Sequence, residues 1–334
     1  MSATVQADPA TPAGSASGLK PRRPLGDRAF QILALVSGLL VLVILILIAV
    51  TMSQQSTQWF SSEGWSGIFS IDWDPAHNKF GAMTFVYGTV VVAVIAIVIA
   101  YPISMGVSLL LTEVVPRRWG RPIVYLIDLV AVVPSVVWGL WGFAIFIPWL
   151  QATIYPHVAS AVNDIWILGN LFGPLNGNYV SGASFFTAGL VLAIMIIPIV
   201  TSISREVIST VPSSDKEGAY ALGATRWEMI RGVVWPHSQT GIIGGTLLGL
   251  GRAMGETIVV ALLMGSAPSI TSHLLTPGYA MPGVIANQFG EATVGEFRAA
   301  LIGMGVLLFA LTIIVNLTAR AIVERNARRV RGTA

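Results

Sequence analysis

Six runs of about twenty or more apolar residues, at 30–52, 84–111, 123–150, 185–204, 241–264 and 299–322, constrain this chain more than anything else in it. Each is long enough to cross the roughly 30 Å hydrocarbon core of a bilayer at the helical rise. In lipid a backbone has to bond within itself, which leaves helices or closed barrels, and runs so continuously apolar lack the alternation of barrel strands. The expected fold is therefore all-α: a polytopic membrane protein of about six transmembrane helices. Composition agrees, with 54% of the 334 residues hydrophobic and only 10% charged.

The first run follows basic residues, as a secretory signal does. It is too long for a signal h-region and has no small-x-small cleavage site, so it is expected to be retained as a span. Ahead of it, residues 1–26, mostly Ala, Ser, Thr, Pro and Gly, have too little apolar surface to order themselves and are expected to form a disordered cytoplasmic tail. Cysteine is absent, which excludes disulfides and thiolate metal sites. His77, His157, His237 and His273 stand apart without ligand spacing, so no metal site is expected.

Basic residues set the orientation, because cytoplasmic loops collect lysine and arginine. Of the 19 present, all but Lys79, Arg252 and Arg298 lie before the first run, between the second and third, between the fourth and fifth, or at the end of the sixth and beyond. Both termini are expected in the cytoplasm, with the chain crossing the plasma membrane several times. This placement serves topology and contact with anionic membrane lipid, and it speaks against nucleic acid despite a net charge of +3.

The loop between the fourth and fifth runs is built with unusual regularity. Pro212 ends what precedes, Ser214 and Glu217 have capping-box spacing, Gly223 suits a left-handed helix end, and Thr225 with Glu228 forms a second box before Pro236 interrupts the following helix. Two short helices follow from this pattern, the first over about 213–223. A compact helix between spans can transmit a push that a floppy loop would absorb. A helix pair lying on the membrane surface is the plainer alternative.

The fifth run holds Arg252 and Glu256, four apart and so on one face of a continuous helix. Each charge would cost roughly 2.5–3.5 kcal/mol at mid-bilayer, so both are expected to face the protein interior or a wet path. Gly245 and Gly249, on nearly one face, admit a close neighbour. Two readings stand open. The charges neutralise each other and lock packing, or Arg252 meets a passing anion while Glu256 holds the guanidinium or closes a gate. A guanidinium suits phosphate because its fork donates two parallel hydrogen bonds.

The loop, with Glu217-Gly218-Ala219, three residues, Gly223, nine residues and Val233-Val234-Trp235-Pro236, resembles the EAA loop of ABC importer permeases. Gly218, Val233 and Trp235 depart from the usual Ala, Ile and Leu. The segment Gly249-Leu-Gly-Arg-Ala-Met-Gly-Glu-Thr257 resembles the membrane subunits of phosphate-specific importers. Three more stretches look like the C-subunit family of those permeases: Phe80 to Thr89, Tyr101 to Ser108 and Pro134-Ser135-Val-Val-Trp-Gly-Leu-Trp-Gly142.

The resemblance implies a type I ABC importer (MetI-like) permease fold over 27–325, followed by a basic cytoplasmic tail at 326–334. It implies substrate-path roles for Arg252, Glu256, Thr257 and Ser135, and contact with an ATPase through Glu217, Gly218, Ala219 and Gly223. Its implied partners are a sister permease of the A-subunit kind, two ATPase subunits and an extracytoplasmic phosphate-binding protein. Lys20, Lys79 and Lys216 do not follow glycine, so the chain has no P-loop. It is not expected to be an enzyme or to bind a cofactor; ATP and Mg would be used by the partner ATPases. A permease for another oxyanion or solute, and a membrane scaffold in phosphate sensing, remain the alternatives.

Among the remaining features, Pro102, Pro134 and Pro198 fall within expected spans, where each could kink a helix or simply perturb packing. Asp128 is expected near the cytoplasmic interface with an arginine or backbone partner. Trp59, Trp65, Trp73 and Trp166, in the external loops, are expected to anchor at headgroup depth.

Overall fold

The computed structural model describes residues 25–162, 166–172, 182–292 and 295–332. The chain divides into two compact units, Met1–Val50 and Thr51–Ala334. In the first, the described residues belong to α1 (Leu25–Gln55), an unbroken helix that carries the first apolar run. Most of the tail expected over 1–26 lies outside the described residues.

In the second unit, α2 (Thr57–Ser62) and α3 (Ser66–Phe69) lead to a small hairpin, with β1 (Trp73–Asp74) antiparallel to β2 (Lys79–Phe80). Trp59 is fully buried with Phe80, Phe85, Tyr279 and Leu301, and its indole N–H donates to the Phe80 carbonyl at 3.0 Å. Trp73 meets Phe80 and Phe85 edge-on and donates to Gln288 Oε1 at 3.1 Å. Headgroup anchoring therefore fails for Trp59, a fully buried ring with its N–H satisfied inside the protein, while Trp73 is partly buried against the same core. Trp65 is exposed as an anchor would be, and the side chain of Trp166 lies outside the described residues.

Among the described residues, five helices are long and apolar enough to cross a membrane: Arg28–Gln55, Met83–Val114, Ser135–Val158, Phe185–Ser209 and Glu296–Ala321. The second comprises α4 (Met83–Leu109) and a π-turn over Leu110–Val114. The third expected run, 123–150, is not one span. It divides between α5 (Arg117–Val132) and a helix that begins at Ser135. Pro134 has no amide to donate and forces Val133 out of the helical region, to φ −60° and ψ 124°. The new helix runs through α6 (Ser135–Trp141), α7 (Ile147–Trp149) and α8 (Tyr155–Val162), joined by two π-turns, and α9 (Trp166–Phe172) follows.

Two helices organise the interior, α4 and α10 (Phe185–Ser209). Gly189 brings them together, since a Cβ there would lie 2.5 Å from Ile95 Cγ2. Ser104 and Ser108 of α4 donate to the Ile197 and Thr201 carbonyls of α10, each at 3.2 Å, the kind of polar tie that holds helices in lipid. Pro102 and Pro198 sit inside these two helices without ending them. Asp128 shares a small void with Thr201, Ser202 and Arg205 and, among the described residues, makes no ion pair.

After α10 come α11 (Ser213–Ala221), α12 (Arg226–Met229) and a π-turn, Ile230–Val234, that opens into α13 (Trp235–Gly255). Pro236 thus starts a long helix rather than interrupting a short one, carried by the wider turn ahead of it. The fifth run, 241–264, is divided as well, between α13 and α14 (Ile258–Leu263). α15 (Met281–Gln288) and α16 (Glu296–Gly332) complete the order.

The glycine face of α13 lies on α10. A Cβ at Gly241 would stand 2.6 Å from Val207, and at Gly245 or Gly249 2.8 Å from Ile203 or Val200. Gly245→Val should therefore force the two helices apart and lower stability by about 1–3 kcal/mol, measured as an earlier melting transition of the detergent-solubilised protein. Gly244, where an added methyl would meet nothing within 4 Å, should accept alanine without that loss.

Candidate functional site

With its glycines turned to α10, α13 presents Thr240, Ile243, Gly244, Leu247, Leu248, Gly251 and Arg252 to an open cavity of about 840 Å³. Ile199 of α10 and Thr312, Asn316 and Arg320 of α16 complete the lining. The polar groups are two guanidiniums, one amide and two hydroxyls, and no carboxylate lines the space. Such a cavity favours anions, since its cations are not neutralised from within.

Arg252 and Glu256 do not meet. α13 ends at Gly255, and Glu256 is extended at φ −71° and ψ 125°, so the four-residue helical spacing does not hold across the pair. Glu256 turns instead into a separate small void with Thr89 and Val92 of α4, Val260 of α14, and Ala280 and Pro282. Its residue is only 9% exposed. Among the described residues the ion pairs are His77–Asp74 and Lys216–Glu113. The reading in which the two charges neutralise each other is thereby corrected, as is the one in which Glu256 holds the guanidinium.

Thr257 and Ser135 mark two other helix breaks. Thr257 precedes α14 and donates its hydroxyl to the Gly255 carbonyl at 3.3 Å, while Ser135 opens α6 behind Pro134. Gly139 of α6 closes on Ile258 and Leu262, and Gly142 on Leu263, so α6 and α14 run side by side in one direction. Neither Thr257 nor Ser135 lines the large cavity, so the four expected substrate-path residues are not gathered in one place. Asn316, Thr312 and Thr240 escaped the sequence reading, and Arg320 was counted only as a topology signal. Their importance depends on α16 lying across from α13, which no local pattern reveals.

The segment after α10 forms the second candidate site. α11 starts at Ser213 behind Pro212, two residues earlier than a cap at Ser214 requires, and Ser214 Oγ bonds Asp215 instead. The first expected capping box is therefore absent. The second is present: Thr225 and Glu228 exchange side-chain and backbone bonds, and Gly223 turns the chain between them and α11 at φ +83°. The Thr225 amide, then its hydroxyl, hold the Glu228 carboxyl below its usual range. The cap is accordingly intact at neutral pH and weakens only as pH falls through that lowered value.

One face of α11 is tied to the bundle. Lys216 Nζ bonds Glu113 Oε1 at 2.6 Å, at the end of the α4 span, with side chains 19% and 7% exposed. Ala219 rests on a cluster of Met105, Ile208, Val211, Met229, Ile230 and Val234. The other face is open. Glu217, Gly218 and Gly223 lie on it, together with Tyr220, Trp227 and Leu222, the last 91% exposed. Ala219 thus belongs to the bundle side, whereas three large side chains of the expected coupling loop that the sequence did not single out join the outer face.

A set of membrane-crossing helices with a rigid loop on one end and a cationic cavity within defines a polytopic membrane component of the transport kind. The chain belongs to the family described as binding-protein-dependent transport system inner membrane component, which it matches over residues 103–332. It is 41% identical over 304 residues to the phosphate transport system permease protein PstC of Xylella fastidiosa (strain 9a5c), covering 91% of this chain and 92% of that one. Against the protein of that name from Mesorhizobium japonicum the identity is 39% over 326 residues, with 97% and 98% covered. Against PstC 2 of Mycobacterium tuberculosis it is 36% over 317 residues, with 93% and 95% covered.

Among solved structures, the fold matches a chain of a bacterial alginate ABC transporter in complex with an alginate pentasaccharide-bound periplasmic protein. There the TM-score is 0.59 at 13% identity, over 91% of this chain and 98% of that one. These are the multi-pass permeases of the inner membrane, and the expected MetI-like ABC permease fold is the one observed.

The Lys216–Glu113 pair links α11 to α4, and its loss should be felt in both. Glu113→Ala leaves a largely buried ammonium unpaired, and a loss of about 2 kcal/mol is expected, less than for a fully buried pair because Lys216 keeps some water contact. The exchange Glu113→Lys with Lys216→Glu should recover most of it in a double-mutant cycle read by thermal unfolding. An additive cycle would mean the pair contributes nothing.

Proposed function

We propose that this chain is the membrane-spanning permease subunit of an ATP-driven phosphate importer, forming the translocation path together with a sister permease. The carrying observation is the acid-free cavity with Arg252 in its wall. The names of relatives matching at least nine-tenths of the chain select phosphate among the anions such a cavity suits.

The chain performs no covalent step. An extracytoplasmic phosphate-binding protein delivers the ion, two ATPase subunits using ATP and Mg close beneath the permeases, and the helices shift as rigid bodies to change the accessible side. Arg252 compensates for hydration that the anion gives up. The open cavity keeps that contact weak enough for release, as conduction requires. Glu256, Thr257 and Ser135 lie at the breaks beside the cavity helix and shape the path rather than touching one ion together. Both termini face the cytoplasm, and lipid surrounds the outer helices.

Coupling runs through the outer face of α11 and the turn after it, by Glu217, Gly218 and Gly223 with Tyr220, Leu222 and Trp227. Ala219 serves from beneath, its small side chain letting the helix lie close to the bundle. A leucine and a tryptophan this exposed on a rigid loop fit a partner's groove better than water.

Reconstituted in proteoliposomes with its companions, the complex should take up phosphate on ATP addition, and Arg252→Ala should lower that uptake by about tenfold or more. Uptake of sulfate in place of phosphate would support the other-oxyanion reading, and full phosphate uptake without this subunit would remove the transport assignment. Glu217→Arg or Leu222→Asp should weaken ATPase association or separate hydrolysis from uptake, as read by the phosphate-to-ATP ratio; an unchanged ratio would count against the docking face.

A further inference from the structure

The cavity holds a second cation that the transport reading leaves unused. Arg320 of α16 lines it opposite α13, and among the described residues no carboxylate pairs with it. Asn316 stands one turn away on the same helix and lines the same space. Its Nδ2 is 3.8 Å from where a Cβ on Gly251 would sit, which sets Asn316 level with the residue next to Arg252.

The direction of α16 fixes the rest. Its first turns, through Ala299, Ala300 and Met304, share a core with Met281 and Val284 of α15, and Gly283 of α15 touches Ala261 of α14. α16 therefore starts at the α14 end and returns antiparallel to α13. Four residues past Asn316 amount to about 6 Å of helical rise, so Arg320 lies that far from the Arg252 level, toward the end of α13 that follows the coupling segment.

We infer that Arg320 and Asn316 form a second anion station, which takes phosphate from the Arg252 level and passes it toward the coupling end of the cavity. The inference rests on the phosphate reading above and extends it to residues on another helix. Two guanidiniums a helical turn apart let an anion exchange one partner for the next without facing an uncompensated interval, and neither holds it tightly. Asn316 adds a feature that arginine lacks. Its amide both donates and accepts, so its carbonyl oxygen can accept a hydrogen bond from a phosphate hydroxyl, a donor that sulfate lacks at neutral pH. This part of the cavity would accordingly favour phosphate over a fully ionised oxyanion.

The test uses the complete complex in proteoliposomes. Arg320→Gln should lower phosphate uptake per ATP hydrolysed by about tenfold, and Arg320→Lys should restore most of it, because charge rather than the fork is needed for a passing ion. Asn316→Leu should narrow the preference for phosphate over sulfate. Normal uptake in Arg320→Gln beside a loss in Arg252→Ala would overturn the second station and leave the phosphate reading standing. A wild-type complex that moves no phosphate would overturn both.

If Arg320→Gln fails to assemble, accessibility decides. The chain contains no cysteine, so Asn316→Cys gives it a single thiol that can be followed with an anionic methanethiosulfonate reagent. Phosphate at constant ionic strength should slow its modification about threefold or more in the ATP-free complex, an occupancy of about two-thirds or above by mass action. Equal rates in phosphate and chloride, or a thiol sealed from reagent by the sister subunit, would overturn the inference.

Discussion

The closeness of α13 to α10 governs most of what this chain can do. Gly241, Gly245 and Gly249 occupy one face of α13, and no side chain larger than hydrogen fits there against Val207, Ile203 and Val200 without displacement. With one face committed in this way, rotation of α13 about its axis is fixed. Thr240, Gly244, Leu248 and Arg252 must then line the cavity. Arg252, a charge within an apolar run, thereby opens on that space, as a charge among membrane helices requires.

The same contact connects the cavity to the loop. α10 ends at Ser209, and Ile208 and Val211 just beyond its glycine contacts share a core with Met229, Val234 and Ile242, at the base of α13. α11 is fastened over this core by Ala219 and by Lys216 on Glu113. A push on the outer face of α11 therefore reaches α4, α10 and α13 through packed side chains and one short ion pair. Among the described residues, nothing covers the open face with Leu222 and Trp227.

The sequence made the helical membrane architecture legible, because lipid permits so few alternatives that length and apolarity alone decide it. The Thr225–Glu228 box was legible for a related reason: all its bonds fall within four residues. Interruptions were harder. The apolar run 123–150 reads through Pro134, and 241–264 reads through Gly255, although the backbone leaves the helix at both. At the second break, Glu256 leaves the Arg252 face for a void that α13 and α14 share with α4 and the start of α15, the last two beyond the reach of local pattern. Arg320 shows the same limit. Its position near the end of an apolar run marks orientation, and only the return of α16 beside α13 brings it into a cavity with Arg252.

The central claim is that phosphate passes through the space bounded by α13 and α16. It is tested most directly by an experimental structure of the assembled complex, trapped without ATP in high phosphate or arsenate. Tetrahedral density within hydrogen-bonding distance of Arg252 or Arg320 is the expected result. A sister helix filling that space, with the oxyanion bound elsewhere, would contradict the account.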